Sequence, residues 1–336
     1  MPRVPMSGVE RVGAALLVAF AGWAVVRMLM TEGSPTVGLA YVLAPAVLVA
    51  GYVLGRAWLP RLARREAELV LGFLVATLVV GAIVSRGPAI GPLGYANANA
   101  AAAVQAAGLA ALLAVRWNSR LLAPVLGLAS LATTIANRSL GGMATGVIVL
   151  VALAAALAGR PRGRVGWLAW VGGFVIMGTG VGVVALAGAP QWPTAALAAL
   201  DRARQMMWSD AWEMWRGDPL LGRGPGWFAQ LSRLGSDADT ATAHSSLLQV
   251  GAETGLVGVA LLSAIIVAGF VVATRTRGPS AAVAIACWTA LWTHSLSDHL
   301  IDFPAVVVLA GAVLGWAVAG RPAGSEQLDV AHREHP

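Results

Sequence analysis

The chain has 336 residues, of which 58% are hydrophobic and 12% are charged, and its mean hydropathy is +0.74. A soluble domain of average composition is about half apolar and about a quarter charged. This composition excludes an ordinary water-soluble enzyme and predicts one all-α membrane domain, a polytopic bundle of transmembrane helices. All 23 basic residues are arginines, and because they fall between hydrophobic runs they indicate membrane topology rather than nucleic-acid binding. The single cysteine, Cys287, excludes an intramolecular disulfide.

Ten apolar runs are long enough to cross a bilayer, and short separators rich in Arg, Gly and Pro divide them. A β-barrel would instead show short segments of alternating polarity. The first run lacks a small-x-small cleavage site, so we interpret it as a retained helix and not as a signal peptide. The predicted spans are 12–30, 37–55, 68–84, 97–115, 121–136, 141–158, 165–188, 243–273, 281–297 and 303–320.

The arginines also predict the orientation of the spans. With the N-terminus inside, fifteen arginines fall in inner segments, whereas only Arg86 and Arg138 fall in short outer loops. The one long loop, 189–242, is long enough to escape the positive-inside rule. The sequence therefore predicts a single domain over residues 1–336 in the plasma membrane. Both termini would be cytoplasmic, with the long loop outside and a cytoplasmic tail at 321–336.

The long loop contains a segment with helical spacing at residues 201–216. Its tryptophans and methionines fall on one broad face, and most of its charges fall on the opposite face. Such an amphipathic helix suits a membrane interface, where Trp is favoured. A helix that packs on the bundle without a chemical role is the alternative. Asp218-Pro219 is expected to end the helix.

His244 lies where the long loop re-enters the membrane, and Ser245, nine residues and Gly255-x-x-Gly258 follow it. This spacing resembles the signature of the O-antigen ligase/O-antigen polymerase superfamily of bacterial membrane glycosyltransferases. The family pattern is His, then Asn, Ser or Gln, nine residues, Gly, two residues and a small residue, after a large periplasmic loop. The run PLLGRGPGWF at 219–228 is similar to the family's Pro-hydrophobic-hydrophobic-Gly-x-Gly-x-x-Phe run.

Three shorter elements resemble the same family. Arg204-x-x-x-Trp208 looks like its loop arginine, which is followed four residues later by a large apolar residue. Asn97 and Asn99 resemble its Asn-x-Asn entry to a span, and Arg138 resembles the arginine of its Ser-Arg-Gly element. The last two elements depart from the pattern, because alanine replaces the proline between the asparagines and asparagine replaces the serine before the arginine.

The resemblance implies a donor glycan linked to a polyprenyl diphosphate and an acceptor hydroxyl on a saccharide or glycolipid. It implies inversion at the anomeric carbon, with no cofactor and no metal. His244 would act as the general base. Arg86, Arg138 and Arg204 would bind the diphosphate, because a guanidinium binds phosphate oxygens bidentately. Further possible substrate contacts are Arg216, Arg223, Asn97, Asn99, Glu253 and Asp298.

Two other functions compete with glycosyl transfer. A non-catalytic transporter or flippase of lipid-linked saccharides would place its polar site near the membrane midplane, usually between internal repeats, and we find no repeat in the sequence. A metal-dependent hydrolase would use the cluster His294, Asp298, His299 and Asp302, three of which are four apart and are expected on one helix face. Within the favoured family, the sequence leaves ligase and polymerase open.

Overall fold

The computed structural model describes residues 6–85, 91–158, 165–237 and 240–319. Within these ranges the regular secondary structure is helical and contains no strand. In chain order, the α-helices of these ranges are α1 (Gly8–Met30), α2 (Pro35–Val53), α3 (Arg64–Val84), α4 (Ala96–Trp117), α5 (Leu122–Ala136), α6 (Leu140–Leu157), α7 (Gly166–Ala187), α8 (Thr194–Gly217), α9 (Trp227–Leu231), α10 (Ser246–Ala273), α11 (Gly278–Leu296) and α12 (Pro304–Val318).

Seven apolar stretches in the described ranges are long enough to cross a membrane, and they comprise α1, α3, α4, α6, α7, α10 and a segment that extends α2 to Arg61. The all-helical prediction is thereby confirmed for this part of the chain, and the apolar helices are those of a membrane protein. Two further predicted spans correspond to α5 and α12, which are apolar but only 15 residues long. The remaining one is α11, nearly all of which is buried inside the protein.

Some residues on which the predicted topology depends lie outside the described ranges. They are Arg86, the tail 321–336 and six of the fifteen inner arginines, three of which fall between α6 and α7. The orientation of the termini therefore stays a prediction.

Helices α4 and α11 form the centre of the bundle. Every residue of α4 from Ala98 to Ala114 is buried, and most of these residues are alanines. Small side chains let neighbouring helix backbones approach closely, which is how membrane helices gain packing energy when lipid is as apolar as the protein. Helix α4 can therefore contact α5, α6, α11 and α12 at once.

Contacts between connecting segments place them at two ends of the bundle. At one end, Ser34 N donates to Pro225 O at 3.0 Å, and the hydroxyl of Tyr95 bonds to Asp298. We call this the site end, and its segments are 31–34, 91–95, 137–139, the described residues of 188–245, and 297–303. At the opposite end, Arg116 Nη2 donates to Pro60 O at 2.9 Å.

The predicted loop helix is longer than its spacing indicated. Helix α8 begins at Thr194 and is broken at Asp201, where φ is 67°. Its apolar face packs against α7 and α10 through Met207, Trp208 and Met214, and Trp208 is fully buried. The amphipathic pattern is compatible with a helix at the membrane interface or a helix packed on the bundle. The apolar face of α8 packs on the bundle.

Helix α10 is interrupted nine residues after its start. Gly255 has a φ of 67°, so the hydrogen bonds that an unbroken helix would form from Leu256 N to Ala252 O and from Val257 N to Glu253 O are replaced. The replacement partners come from the loop after α8. Leu256 N donates to the carbonyl of Pro219 at 2.9 Å, and Val257 N donates to the next carbonyl at 3.4 Å.

The same loop satisfies the two freed carbonyls. Arg223 N donates to Ala252 O and Gly224 N donates to Glu253 O, both at 2.8 Å. The two chain segments cross backbone to backbone, because a Cβ on Gly255 would lie 2.3 Å from Leu220 O. In a membrane, irregular backbone is tolerated only where protein satisfies its polar groups. The run at 219–224 therefore acts as a plug for the break in α10.

We predict that Gly255→Ala destabilises the protein by at least ~2 kcal/mol, because the variant combines a left-handed backbone with a backbone clash. Thermal unfolding in detergent, followed by Trp fluorescence, would show a lower midpoint. Gly182→Ala is the matched control, since a Cβ at Gly182 meets no atom within 4 Å. Equal midpoints for the two variants would show that the crossing at Gly255 is dispensable.

Candidate functional site

A buried carboxylate, Asp298, is the centre of a polar cluster at the site end. Its side chain is 1% exposed and lies in the connection between α11 and α12. The hydroxyl of Tyr95 lies 2.9 and 3.0 Å from its two oxygens, and Arg204 Nη2 donates to Oδ2 at 3.2 Å. Asn97 Nδ2 also donates to Oδ2, and the backbone N of His299 donates to Oδ1 at 2.8 Å.

The sequence GYANAN positions two members of this cluster. Gly94 has a φ of 70°, which turns the chain so that Tyr95 is the extended residue that caps α4 and Asn97 lies in the first helical turn. Asn97 Nδ2 also donates to the hydroxyl of Tyr95 at 3.1 Å. Asn99 points elsewhere, because its Oδ1 accepts from Leu93 N at 3.0 Å and so holds the preceding turn.

Arg204 is fixed by the break in α8. Asp201 accepts a hydrogen bond from Arg204 N at 2.8 Å, and its other oxygen lies 3.3 Å from Arg204 Nη1. The arginine side chain is only 16% exposed and bridges Asp201 and Asp298. The loop arginine selected from the sequence is therefore held within the cluster.

His244 lies beside this cluster, immediately before α10. Its Nδ1 is 3.4 Å from the hydroxyl of Tyr95, and its ring centroid is 4.3 Å from that of His299. The residue is 9% exposed and has a φ of 47°. Its carbonyl lies 3.4 Å from Trp208 Nε1, which ties the histidine to α8.

The serines after the histidine attach α10 to the segment that carries Asp298. Ser245 Oγ accepts from Leu248 N at 3.3 Å and donates to Leu296 O at 2.6 Å. Ser246 N donates to Asp298 O at 2.9 Å. The start of α10 and the end of α11 are thus held in fixed register.

An aromatic wall closes one side of the cluster. The rings of Tyr95 and Phe303 are stacked, with centroids 5.3 Å apart and planes 13° apart. The ring of His299 lies 5.0 Å from that of Tyr95 and 5.3 Å from that of Phe303. Stacked apolar rings of this kind fix the orientation of the polar groups on their edges.

Electrostatics favour an ionised Asp298. Burial by itself would raise the pKa of this carboxyl, but the hydrogen bond from His299 and the charges of His299, Arg204 and His294 outweigh burial and lower it. Burial and the charge of Asp298 raise the pKa of the Tyr95 phenol, so this residue keeps its proton at neutral pH. Burial also raises the pKa of Asp302.

The other predicted arginines do not belong to the described hydrogen-bonded cluster. Arg138 is exposed in the turn between α5 and α6, and Arg86 lies outside the described residues. Arg216 and Arg223 are exposed on and after the end of α8. Arg138, Arg216 and Arg223 make none of the hydrogen bonds described for the cluster.

Glu253 serves the plug that fills the break in α10. It is fully buried and accepts hydrogen bonds from Tyr41 Oη and Gly226 N, both at 2.8 Å. Phe228 N lies 3.3 Å from Oε1, the oxygen that also accepts from Gly226 N. Glu253 thereby fixes the 219–228 run to the bundle, and it is not brought together with His244.

The prediction that His294, Asp298 and Asp302 share one helix face is wrong. Helix α11 ends at Leu296, so the two aspartates lie beyond it in a non-helical connection and a short 3₁₀ turn. The structure instead brings together His244, Asp298 and His299, with one ligand atom of each within 4.8 Å of the others. These residues are suitable ligands for a divalent cation. Arg204 competes for the same carboxylate.

Two members of the site were not selected from the sequence as substrate contacts. Tyr95 lies just before the Asn-x-Asn element, which predicts contacts from its asparagines alone, and the sequence predicts His299 only as a metal ligand. The available signal was an aromatic residue between a glycine and the first asparagine.

No protein-family model and no curated protein matches this chain. A function for this protein is therefore proposed from the geometry of the Asp298 cluster.

We predict that Asp298→Asn destabilises the protein at pH 7 by on the order of 3 kcal/mol, because it breaks a buried, hydrogen-bonded ion pair. Since folding lowers the pKa of Asp298, its stabilising effect is present above the unfolded-state value of ~3.9. It is lost as pH falls below that value. Unfolding midpoints of wild type and variant measured from pH 7 to pH 3 should stay apart by a constant amount down to about pH 4, and the difference should then shrink as pH falls toward the lowered folded-state pKa. A constant difference over the whole range would contradict an ionised Asp298.

Proposed function

We propose that the protein is a membrane glycosyltransferase resembling the O-antigen ligases and polymerases. It would transfer a glycan from a polyprenyl diphosphate to an acceptor hydroxyl, with no cofactor. The observation that carries this proposal is the close approach of His244 to a cluster that also contains Arg204. His244 and Arg204 belong to separate sequence motifs and are 40 positions apart in the chain. A base and a guanidinium in one place are what such a transfer requires.

The hydrogen bonds around Tyr95 indicate which tautomer a neutral His244 would adopt. The phenol keeps its proton and donates it to the Asp298 carboxylate, so its oxygen can accept from Nδ1–H of His244. This tautomer leaves Nε2 unprotonated, and Nε2 is then the atom that takes the acceptor proton. Tyr95 and Asp298 would act as positioning residues.

Arg204 would stabilise the departing diphosphate. Its guanidinium has five N–H donors, and two of its nitrogens contact carboxylates in the structure. A diphosphate could replace the exposed Asp201 as its partner while the buried bond to Asp298 is kept. Attack by the acceptor oxygen opposite the leaving diphosphate inverts the anomeric carbon. Arg138 and Arg86 remain proposed further contacts for the diphosphate.

The membrane arrangement belongs to the same proposal. We infer ten spans in the plasma membrane, with both termini cytoplasmic and the segment 189–242 outside. Four further described segments, including the 297–303 connection, support this arrangement by gathering at the site end with that loop. A lipid-linked donor and a water-borne acceptor would meet at this depth.

We predict that a cysteine at Ser236 is labelled from outside intact cells by a membrane-impermeant reagent. Ser236 is exposed in the described structure, and the native Cys287 is buried and should contribute little background. Ala63→Cys is the matched control, because Ala63 is exposed at the opposite end. It should react only after permeabilisation. Labelling in the reverse order would invert the proposed topology.

We predict that His244→Ala lowers glycan transfer by about 10²–10⁴-fold, the usual contribution of a general base. Donor binding should stay nearly unchanged, because Arg204 holds the diphosphate. The measurement is transfer of a lipid-linked glycan by purified protein, together with donor binding. Arg204→Lys should weaken both, whereas Arg202→Lys, on the exposed face of α8, should change neither.

Activity of His244→Ala within a few-fold of wild type would make this histidine structural. The same assay tests a second candidate, a metal-dependent hydrolase, which the proximity of His244, Asp298 and His299 favours. We expect the transfer reaction to resist EDTA. Inhibition by EDTA that one divalent metal reverses would support the metal reading instead.

A broken helix such as α10 is also common in transporters. Here, however, the backbone of 219–224 satisfies the polar groups that the break leaves free. The flippase alternative therefore gains no support from this feature.

A further inference from the structure

A cavity of about 590 Å³ lies at the opposite end of the bundle, between α1, α2, α10 and α12. Leu17, Leu48, Ile265 and Leu314 line its apolar interior. Several of its rim residues are exposed, among them Val53, so the cavity communicates with the outside of the bundle.

Two pairs of packed helices form the walls of this cavity. A Cβ on Gly51 would lie 2.1 Å from Val308 O, so α2 and α12 are in backbone contact. On the other side, a Cβ on Gly13 would lie 3.9 Å from the Cβ of Ala268, so α1 and α10 are in ordinary contact. The cavity is therefore a defined space between two packed pairs.

The mouth of the cavity is basic. Arg56 and Arg61 both line it, whereas Glu10 is the only carboxylate among the described residues of the lining. Glu10 is buried and fully engaged, because it accepts from Tyr52 Oη and Ser7 N and pairs with Arg56. The lining thus carries two guanidinium groups against one carboxylate.

The mouth also has the character of a membrane interface. The guanidinium of Arg61 lies 5.8 Å from the ring centroid of Trp58, and both side chains are exposed. Trp and Arg at this depth anchor a protein among lipid headgroups. Basic pockets between transmembrane helices bind anionic lipid headgroups.

We propose that this cavity binds one anionic glycerophospholipid. Its phosphate would lie against Arg56 and Arg61, and one acyl chain would fill the apolar interior. A guanidinium suits a phosphate because its planar N–H donors match two oxygens. A polyprenyl phosphate has the same phosphate chemistry, but a donor bound here could not present its diphosphate to His244 at the other end.

The test uses purified full-length protein incubated with detergent micelles that contain equal amounts of phosphatidylglycerol and phosphatidylcholine. Native mass spectrometry then counts the lipids that stay bound. Ala14 lines the cavity and Ala15 on the same helix is exposed outside it. Ala14→Phe should therefore lose bound phosphatidylglycerol, whereas Ala15→Phe should retain it.

A second pair of variants tests the charge at the mouth. Arg61→Gln should reduce retention of phosphatidylglycerol by about fivefold, the factor that corresponds to ~1 kcal/mol per arginine. Arg65→Gln removes an exposed arginine that does not line the cavity, and it should have no such effect. This pair leaves the packing of α1 unaltered, so it stays informative if Ala14→Phe misfolds.

Equal retention of the two lipids by wild type would overturn the proposal. So would equal retention by Arg61→Gln and Arg65→Gln. A third arm adds polyprenyl phosphate, and preferential binding of that lipid would also contradict the assignment to a glycerophospholipid.

Discussion

The break in α10 and the loop that fills it are the constraint on which the arrangement of the site depends. A helix that loses two hydrogen bonds within an apolar bundle exposes two N–H groups and two carbonyls, each of which costs several kcal/mol if it stays unsatisfied. The backbone of 219–224 satisfies all four. The loop after α8 is therefore anchored into the bundle, and α8 with it.

Anchoring the loop has a direct consequence for Arg204. The plug begins two residues after α8 ends, so the position of the plug limits where that helix can lie. Further bonds hold the plug in place, since Glu253 binds the backbone at Gly226 and Arg27 Nη2 donates to Gly222 O at 2.6 Å. With α8 fixed, Arg204 reaches Asp298 from a defined direction.

The spacing between His244 and Gly255 thus has a physical basis. The nine-residue stretch from Ser246 to Thr254 is one buried helical segment, which begins beside the polar cluster and ends at the break. One end carries the histidine and the other receives the plug. A change in this length would rotate one end of the segment relative to the other, because each helical residue turns the chain by about 100°.

The Asp298 cluster and the basic cavity share a principle although they lie at opposite ends. Each places charged side chains inside a largely apolar bundle, and in each a buried carboxylate pairs with an arginine, as Asp298 does with Arg204 and Glu10 with Arg56. Buried charges persist only when they are paired or hydrogen-bonded. The surroundings of the ion pair differ between the two ends. At the site end it lies beside stacked aromatic rings, and at the other end it lies beside an apolar cavity.

The sequence by itself determined the helical class and the approximate extent of the long helices, and it singled out His244, Arg204, Asn97 and Asp298, which lie together in the structure. These features depend on local signals, namely apolar length, arginine placement and motif spacing. Only the tertiary structure decided that Tyr95 links Asp298 to His244, that His299 joins them, and that Glu253 belongs to the plug. Each of these outcomes is a hydrogen bond or ring contact between segments far apart in the chain, and such contacts follow from how the helices pack rather than from any local pattern.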